Sequence, residues 1–273
     1  MKQAHWSRMA HLWRLVGPPL RPAAADLAIF QGAIDQWRTE HSAPPRTLIL
    51  GVTPELHALD WPGGTVLRAL DGSPQMIGEV WPGPPGSALL GSWTDIPLAD
   101  ACCDIVLCDG GFGMLPYPQG QAALLSELRR VLADGGIFAV RLFAPQGRTG
   151  SVAEVFSRLA ANHIPGLDSL KLRLWGALHG DATQGVRPRD VVAHILSAAG
   201  SFDRLAADHG WPLEHVQSLE LHRESSASYH LTDAAEVIRM ACEEPGGFEI
   251  QAVVEPAYEL GTCCPILVLA RKA

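Results

Sequence analysis

No apolar run in this 273-residue sequence reaches about 18 residues, so no stretch reads as a membrane span. The first twenty residues are interrupted by Arg and His and lack the apolar core of a secretory signal. The sequence has no G-x-G-x-x-G, which counts against a nicotinamide-dependent dehydrogenase. Its six cysteines form no C-x-x-C, and two pairs are adjacent, Cys102-Cys103 and Cys263-Cys264. Adjacent cysteines suit neither ordinary disulfides nor zinc, so they read as reduced, mostly buried thiols, and His and Cys spacing supports no metal site. Basic residues are outnumbered: 21 Lys and Arg against 29 Asp and Glu give a net charge of −8, which argues against a broad nucleic-acid footprint. There are no internal repeats and no low-complexity tract. These absences predict a cytoplasmic protein without membrane or nucleic-acid partners; they say nothing of oligomeric state.

What is present is a chain able to bury a core, with 47% apolar and 18% charged residues. The most informative stretch runs from 47 to 71. A short apolar run breaks at Gly51, a short helix follows, Pro62-Gly63-Gly64 turns the chain, and a second run ends in Asp71, 20 positions after Gly51. That is the front half of a nucleotide-binding βαβ unit. Gly51 removes a side chain where backbone approaches a ligand. Asp71 puts a carboxylate at a strand end, where it can accept hydrogen bonds from both ribose hydroxyls. The same residues also read as a plain βα turn and a helix-capping Asp.

Upstream, Trp6, Met9, Trp13 and Val16 share one helical face, which Gly17-Pro18-Pro19 ends. A second helix over 22–37 carries Leu27, Phe30, Ile34 and Trp37. These helices either pack on the domain or form a lid over 1–45 that brings His5, Trp6, Trp13 and Arg14 to a ligand. Downstream, a short strand at 88–90 precedes Ser92-Trp93-Thr94. A nearly all-apolar strand over 104–108 ends at Asp109-Gly110-Gly111. A helix striped with Leu124, Leu125, Leu128, Val131 and Leu132 stops at Asp134-Gly135-Gly136, and a fifth strand covers 137–143. Short apolar strands alternating with helices predict a parallel sheet in an α/β domain over 46–273.

Four segments in 47–143 together resemble the class I methyltransferases dependent on S-adenosylmethionine. They are the strand into Gly51; the strand into Asp71 with Ser73-Pro74-x-Met76-Ile77; Asp95-Ile96-Pro97-Leu98 followed by Cys103-Asp104-Ile105-Val106; and Leu128-Arg129-Arg130-Val131-Leu132-x-x-Gly135-Gly136. The resemblance covers about a third of the chain. It implies a Rossmann-like, doubly wound seven-stranded sheet, S-adenosylmethionine as cofactor, and methyl transfer to a small-molecule acceptor by in-line displacement. It places a final antiparallel pair, 248–254 and 264–270, at the sheet edge. The residues expected around the cofactor are Gly51, Thr53, Glu55, Asp71, Gly72, Met76, Ser92, Trp93, Thr94, Asp109 and Gly110, with Trp13 and Arg14 from the lid. Two departures stand out. The first loop, Gly51-Val52-Thr53-Pro54-Glu55, has one glycine where the family has two or three, with Thr53 and Glu55 as compensating polar groups. Ser92 and Trp93 replace the acidic residue that often addresses adenine. The degenerate loop leaves a second reading, a non-catalytic methyltransferase-like binding or partner subunit.

Methyl transfer from a sulfonium needs alignment, water exclusion and, for a protonated nucleophile, a base. No fixed triad is required, so the sequence offers only candidates: Asp109, which orients a ligand or caps a turn, and His163, His222 and His230, each a base or an ordinary histidine. Residues 144–245 hold too many helices for a bare core, which predicts a substrate-covering helical insertion after the fifth strand. Its polar stretch at 221–230 reads as either a substrate loop or a solvated connection.

Overall fold

The computed structural model describes residues 9–145, 150–243 and 247–272. A seven-stranded sheet runs in the order β3-β2-β1-β4-β5-β7-β6. The strands are β1 Arg46–Leu50, β2 Val66–Asp71, β3 Ala88–Leu90, β4 Cys103–Asp109, β5 Leu132–Arg141, β6 Phe248–Val254 and β7 Ile266–Arg271. The first five are parallel, and β7 runs antiparallel between β5 and β6. This is the doubly wound architecture expected. Strand order reverses between β1 and β4, so a crevice opens there at the carboxyl ends of the strands.

Alternation builds both faces. Leu48, Leu50, Leu70, Val106 and Cys108 turn to one side, under the helices Gln119–Val131 and Ala234–Cys242. Ile49, Ala69, Ile105 and Leu107 turn to the other, under Ala24–Glu40 and Pro74–Val80. Both sets are nearly fully buried, which explains why the central strands read as continuous apolar runs.

Some boundaries differ from the sequence reading. The helix before β5 ends at Val131, and Asp134-Gly135-Gly136 lies inside the strand. Leu132 pairs with Cys103 and Ile137 with Ile105, so the strand is irregular between them, with Gly135 at φ +74°. Asp233 caps Ala234–Cys242 by accepting from the Glu236 N–H at 2.8 Å, and the neighbouring Thr232 hydroxyl donates to Gln121. All six cysteines are free thiols, four of them buried. No helix among the described residues is long and apolar enough to cross a membrane.

A third core lies outside the sheet. The helices Val152–Ala160, Leu167–Leu178, Pro188–Ala199, Phe202–His209 and Leu213–Gln217 pack around Leu170, Leu174, Ile195 and Val216. The expected insertion after β5 is therefore present with its own interior. Two of its helices, Phe202–His209 and Leu213–Gln217, are short and went unread in the sequence.

Candidate active site

At the carboxyl ends of β1, β2 and β4 lies a cavity of about 560 Å³, a size suited to a small-molecule ligand. Its floor is built by strand ends that run one residue past the sheet. The Gly51 N–H donates to the Leu70 carbonyl at 2.8 Å, and Gly91 N–H to Asp71 at 3.1 Å. Gly51 has φ +89°, while a Cβ placed there would meet only the Trp93 ring at an ordinary 3.6 Å. Conformation, rather than space, requires glycine at this position. Trp93 lines the cavity, with its indole N–H on the Leu70 carbonyl at 2.8 Å. A Cβ on Gly111 would lie 2.4 Å from that ring, so Gly111 is the glycine that steric contact demands. Gly111 lines the cavity and was missed; its only sequence signal was the Gly110-Gly111 pair.

Asp71 ends β2 and lines the cavity. One carboxylate oxygen accepts the Ser73 N–H at 2.7 Å, and Ser73 in turn caps Pro74–Val80. The other oxygen has no hydrogen bond from the described residues. Burial pushes the carboxyl up to about 6, against the pull of the Ser73 N–H. A desolvated carboxylate with one unused oxygen facing a cavity matches a group that receives ligand hydroxyls. Asp71 is not a helix cap; Ser73 does that work.

Asp109 also lines the cavity, but both its oxygens are taken by Arg141, at 2.5 Å from Nε and 3.2 Å from Nη2. Among the described residues it caps no turn, and each of its oxygens accepts one bond from Arg141, which anchors it in an ion pair at the cavity wall. Arg141 is completely buried at the end of β5 and also donates to the Pro19 carbonyl at 2.8 Å. Its Nη1 stands 3.5 Å from Asp26, which is likewise fully buried and whose carboxyl burial raises. One guanidinium thus holds two buried carboxylates and the N-terminal segment to the sheet.

The roof comes from distant chain. Met9, Trp13, Val16 and Leu20 line the cavity, so the face predicted for the N-terminal segment does turn toward it. Among the described residues Met9 and Ala10 are helical, and a short 3-10 turn follows at Trp13–Leu15; Trp6 and His5 lie outside the described residues. The insertion contributes Lys171, Trp175, His222 and Tyr229. Asp168 joins the two parts, accepting the Gly17 N–H at 2.7 Å and the Lys171 ammonium at 2.8 Å. Burial alone would raise that carboxyl; Lys171, His215 and Gly17 outweigh it and bring it down to about 2. An exposed Arg14–Glu214 ion pair ties them again.

Thr53, Gly72, Met76, Ser92 and Gly110 line the cavity with Gly51, Asp71, Trp93, Asp109 and Trp13. Three expected residues do not. Glu55 faces Arg21 at 2.5 Å, Thr94 bonds Ser92, and Arg14 points to the surface. Of the histidines, His163 is exposed and away from the cavity, and His230 is held by the Ala182 carbonyl at 2.9 Å outside the lining. His222 does line it. Its stretch is no solvated connection: Ser225, Ala227, Tyr229 and His230 are buried, and Tyr229 is pinned to Val186 by two backbone bonds. Among the described residues no group of His, Cys, Asp and Glu is arranged to hold a metal.

Residues 51–140 match the family model for a methyltransferase domain. That stretch is similar to the methyltransferase-domain family, and the strand order and strand-end cleft around it agree with the class I S-adenosylmethionine-dependent methyltransferase fold. No curated protein matches the sequence. Solved structures share the fold at low identity. One is the CcbJ methyltransferase of Streptomyces caelestis, with 14% identity, TM-score 0.57 and 100% of both chains covered. Another is the Burkholderia thailandensis 1,6-didemethyltoxoflavin-N1-methyltransferase, with 11% identity, TM-score 0.50, and 99% of this chain and 87% of that one covered. A Rhodobacter sphaeroides chain described as a putative zinc-dependent alcohol dehydrogenase has 11% identity and TM-score 0.62, over 99% of this chain and 98% of that one. At such identities the likeness concerns the fold alone.

Proposed function

We infer that this chain transfers a methyl group to a small-molecule acceptor enclosed beneath its helical roof. The observation that carries this reading is the cavity itself. It joins a strand-end carboxylate with one unused oxygen to an apolar chamber closed by two other parts of the chain. Bound S-adenosylmethionine supplies a methyl carbon already activated by its sulfonium. Asp71 accepts the ribose hydroxyls through its unused oxygen. Thr53, whose hydroxyl makes no hydrogen bond among the described residues, and the Gly51 turn meet the remainder of the cofactor. Trp13, Trp175 and Phe143 exclude water and hold the acceptor in line with the reacting carbon. The Burkholderia neighbour was crystallised with 1,6-didemethyltoxoflavin and S-adenosylhomocysteine, which supports a small-molecule acceptor.

Residues 9–45 act as the lid and 144–245 as the acceptor-covering region in this reading. Calorimetric titration with S-adenosylhomocysteine tests it. Micromolar binding or tighter is expected, and no detectable heat at millimolar ligand overturns it.

A further inference from the structure

We propose that the acceptor is an aromatic carboxylate, its acid group held by Lys171 and Tyr229 and its ring set against Trp175 and Phe143. The proposal deepens the methyltransferase reading and rests on it.

Lys171 is 4% exposed, yet it lines the cavity. Its ammonium has three donors, and among the described residues one bond is made, to Asp168 at 2.8 Å. It is also the one Lys or Arg among the described residues lining the cavity. Tyr229 is 4% exposed, and its hydroxyl makes no hydrogen bond among the described residues. One hydroxyl and two ammonium donors, on side chains otherwise buried, are thus open to the cavity with no protein acceptor among the described residues. A ligand group that only accepts satisfies all three, and a carboxylate is that group.

The ring follows from the walls. Trp175 lies one helical turn after Lys171, so both side chains leave the same face of Leu167–Leu178. The Trp175 ring meets Tyr229 edge-on at 4.9 Å and Phe143 at 5.9 Å. Phe143 continues from β5 and lies over Gly110, whose Cβ would come within 2.6 Å of it. This aromatic corner sits over β4 and β5. Asp71 sits over β2, so the Lys171 end is the half that the ribose carboxylate does not serve. Asp109, the acid nearest that half in strand order, is paired with Arg141, so Asp168 is the one carboxylate that Lys171 meets among the described residues.

The test uses the full chain saturated with S-adenosylhomocysteine, titrated with 4-hydroxybenzoate and 1-hydroxy-2-naphthoate and with the neutral amide of each. At least one acid is expected to bind about tenfold or more tighter than its amide. Lys171→Met and Tyr229→Phe should each weaken the acid by about tenfold while S-adenosylhomocysteine affinity stays within about twofold. Lys171→Met leaves Asp168 without its ammonium and carries a folding risk. Tyr229→Phe removes an atom with no partner among the described residues and carries little. Equal affinity for acid and amide overturns the proposal, as does failure of both acids to bind at about 10 mM. If Lys171→Met instead weakens S-adenosylhomocysteine as much as the acid, Lys171 serves the cofactor's own carboxylate and the acceptor assignment falls. No binding of S-adenosylhomocysteine to the parent protein is a different result, which removes the methyltransferase reading itself.

Discussion

The two halves of the cavity are held by different means. The floor is sheet: each residue there is placed by a strand that ends beside it, with backbone bonds such as Gly51 to Leu70 fixing the turn. The roof is assembled from three distant stretches, around Trp13, Lys171 and Tyr229, held together by side chains. The floor is therefore fixed by local geometry and the roof by a few ionic and hydrogen-bonded joints. A roof of that kind is the half that can open for a ligand, because its joints are few and separable from the sheet.

Arg141 is the joint where the comparison can be broken most severely. It holds Asp109 on the floor, the Pro19 carbonyl on the roof side and Asp26 of the helix beneath the sheet, and both Arg141 and Asp26 are fully buried. Arg141→Met leaves Asp109 without its cation and Asp26 with only the Ala23 N–H and the Tyr258 hydroxyl, and the expected loss is about 3–5 kcal/mol of unfolding free energy in denaturant titration. Asp109→Asn keeps one acceptor for the guanidinium and should cost less. If Arg141→Met unfolds at the parent's denaturant midpoint, the network stores no stability and the roof is anchored elsewhere.

A smaller effect isolates the floor. Asp71→Ala is expected to weaken S-adenosylhomocysteine by about 1.5–3 kcal/mol in calorimetry, the range for a hydrogen bond to a charged group. Gly51→Val should do as much or more, because its φ of +89° is strained for any β-branched residue. Neither change touches a roof contact, so both proteins should retain the parent's near-native fold by circular dichroism. Parent-like binding by Asp71→Ala makes the ribose assignment wrong.

The difference between halves also sets what the sequence revealed. The floor was legible because its signals are local. Apolar runs of strand length end at Gly51, Asp71 and Asp109, and burial on both faces of the sheet accounts for those runs. Segments 95–98 and 128–132 fit the same picture, and the structure gives their reason: Arg130 donates to the Leu98 and Ile96 carbonyls at 2.7 and 2.8 Å. Lys171 and Tyr229 were not legible as site residues. Their role depends on a fold between residues more than 50 positions apart, and a lysine on a Leu-striped helix looks like any solvated lysine. The pairing of Asp109 was hidden for a related reason. Its partner, Arg141, looked like an ordinary strand-end residue until β4 and β5 were paired. Glu55 likewise faces Arg21, 34 positions upstream, rather than the cavity.

The pH dependence of binding sharpens the Asp71 assignment. Its folded carboxyl lies at about 6, above the ordinary value of 3.8. The sign is that of a raised acid: it favours the free folded protein fully below the unfolded value, and that contribution disappears as pH rises through about 6. Ribose hydroxyls need the ionised form as acceptor, so affinity should be flat above neutrality and fall as pH drops through 6. At pH 5 it should be about tenfold below its value at pH 8. Near pH 6 binding should release up to about half a proton, seen as a buffer-dependent heat. Asp71→Asn, which cannot ionise, should abolish both effects; if the pH profile survives in that variant, another group carries it.

The roof yields the smallest expected effect, and Trp13 is the residue to test. Its ring lines the cavity, and the Arg21 guanidinium lies 5.5 Å from its centroid while pairing with Glu55 beside the first loop. Trp13 therefore leans on the floor through a cation–π contact, and removing the ring loses that contact together with apolar cover over the ligand. Trp13→Ala should cost roughly 1 kcal/mol of S-adenosylhomocysteine affinity and change the melting temperature little, because its indole is only partly buried. Trp13→Phe keeps a flat ring and should recover most of the loss. Arg14 is the internal control: its side chain is 63% exposed and pairs with Glu214 at the surface, so Arg14→Ala should leave affinity unchanged. If Trp13→Ala lowers the melting temperature but binds like the parent, the segment only packs on the domain. If Arg14→Ala weakens binding as much as Trp13→Ala, the N-terminal segment acts through its tie to the insertion rather than through its aromatic face.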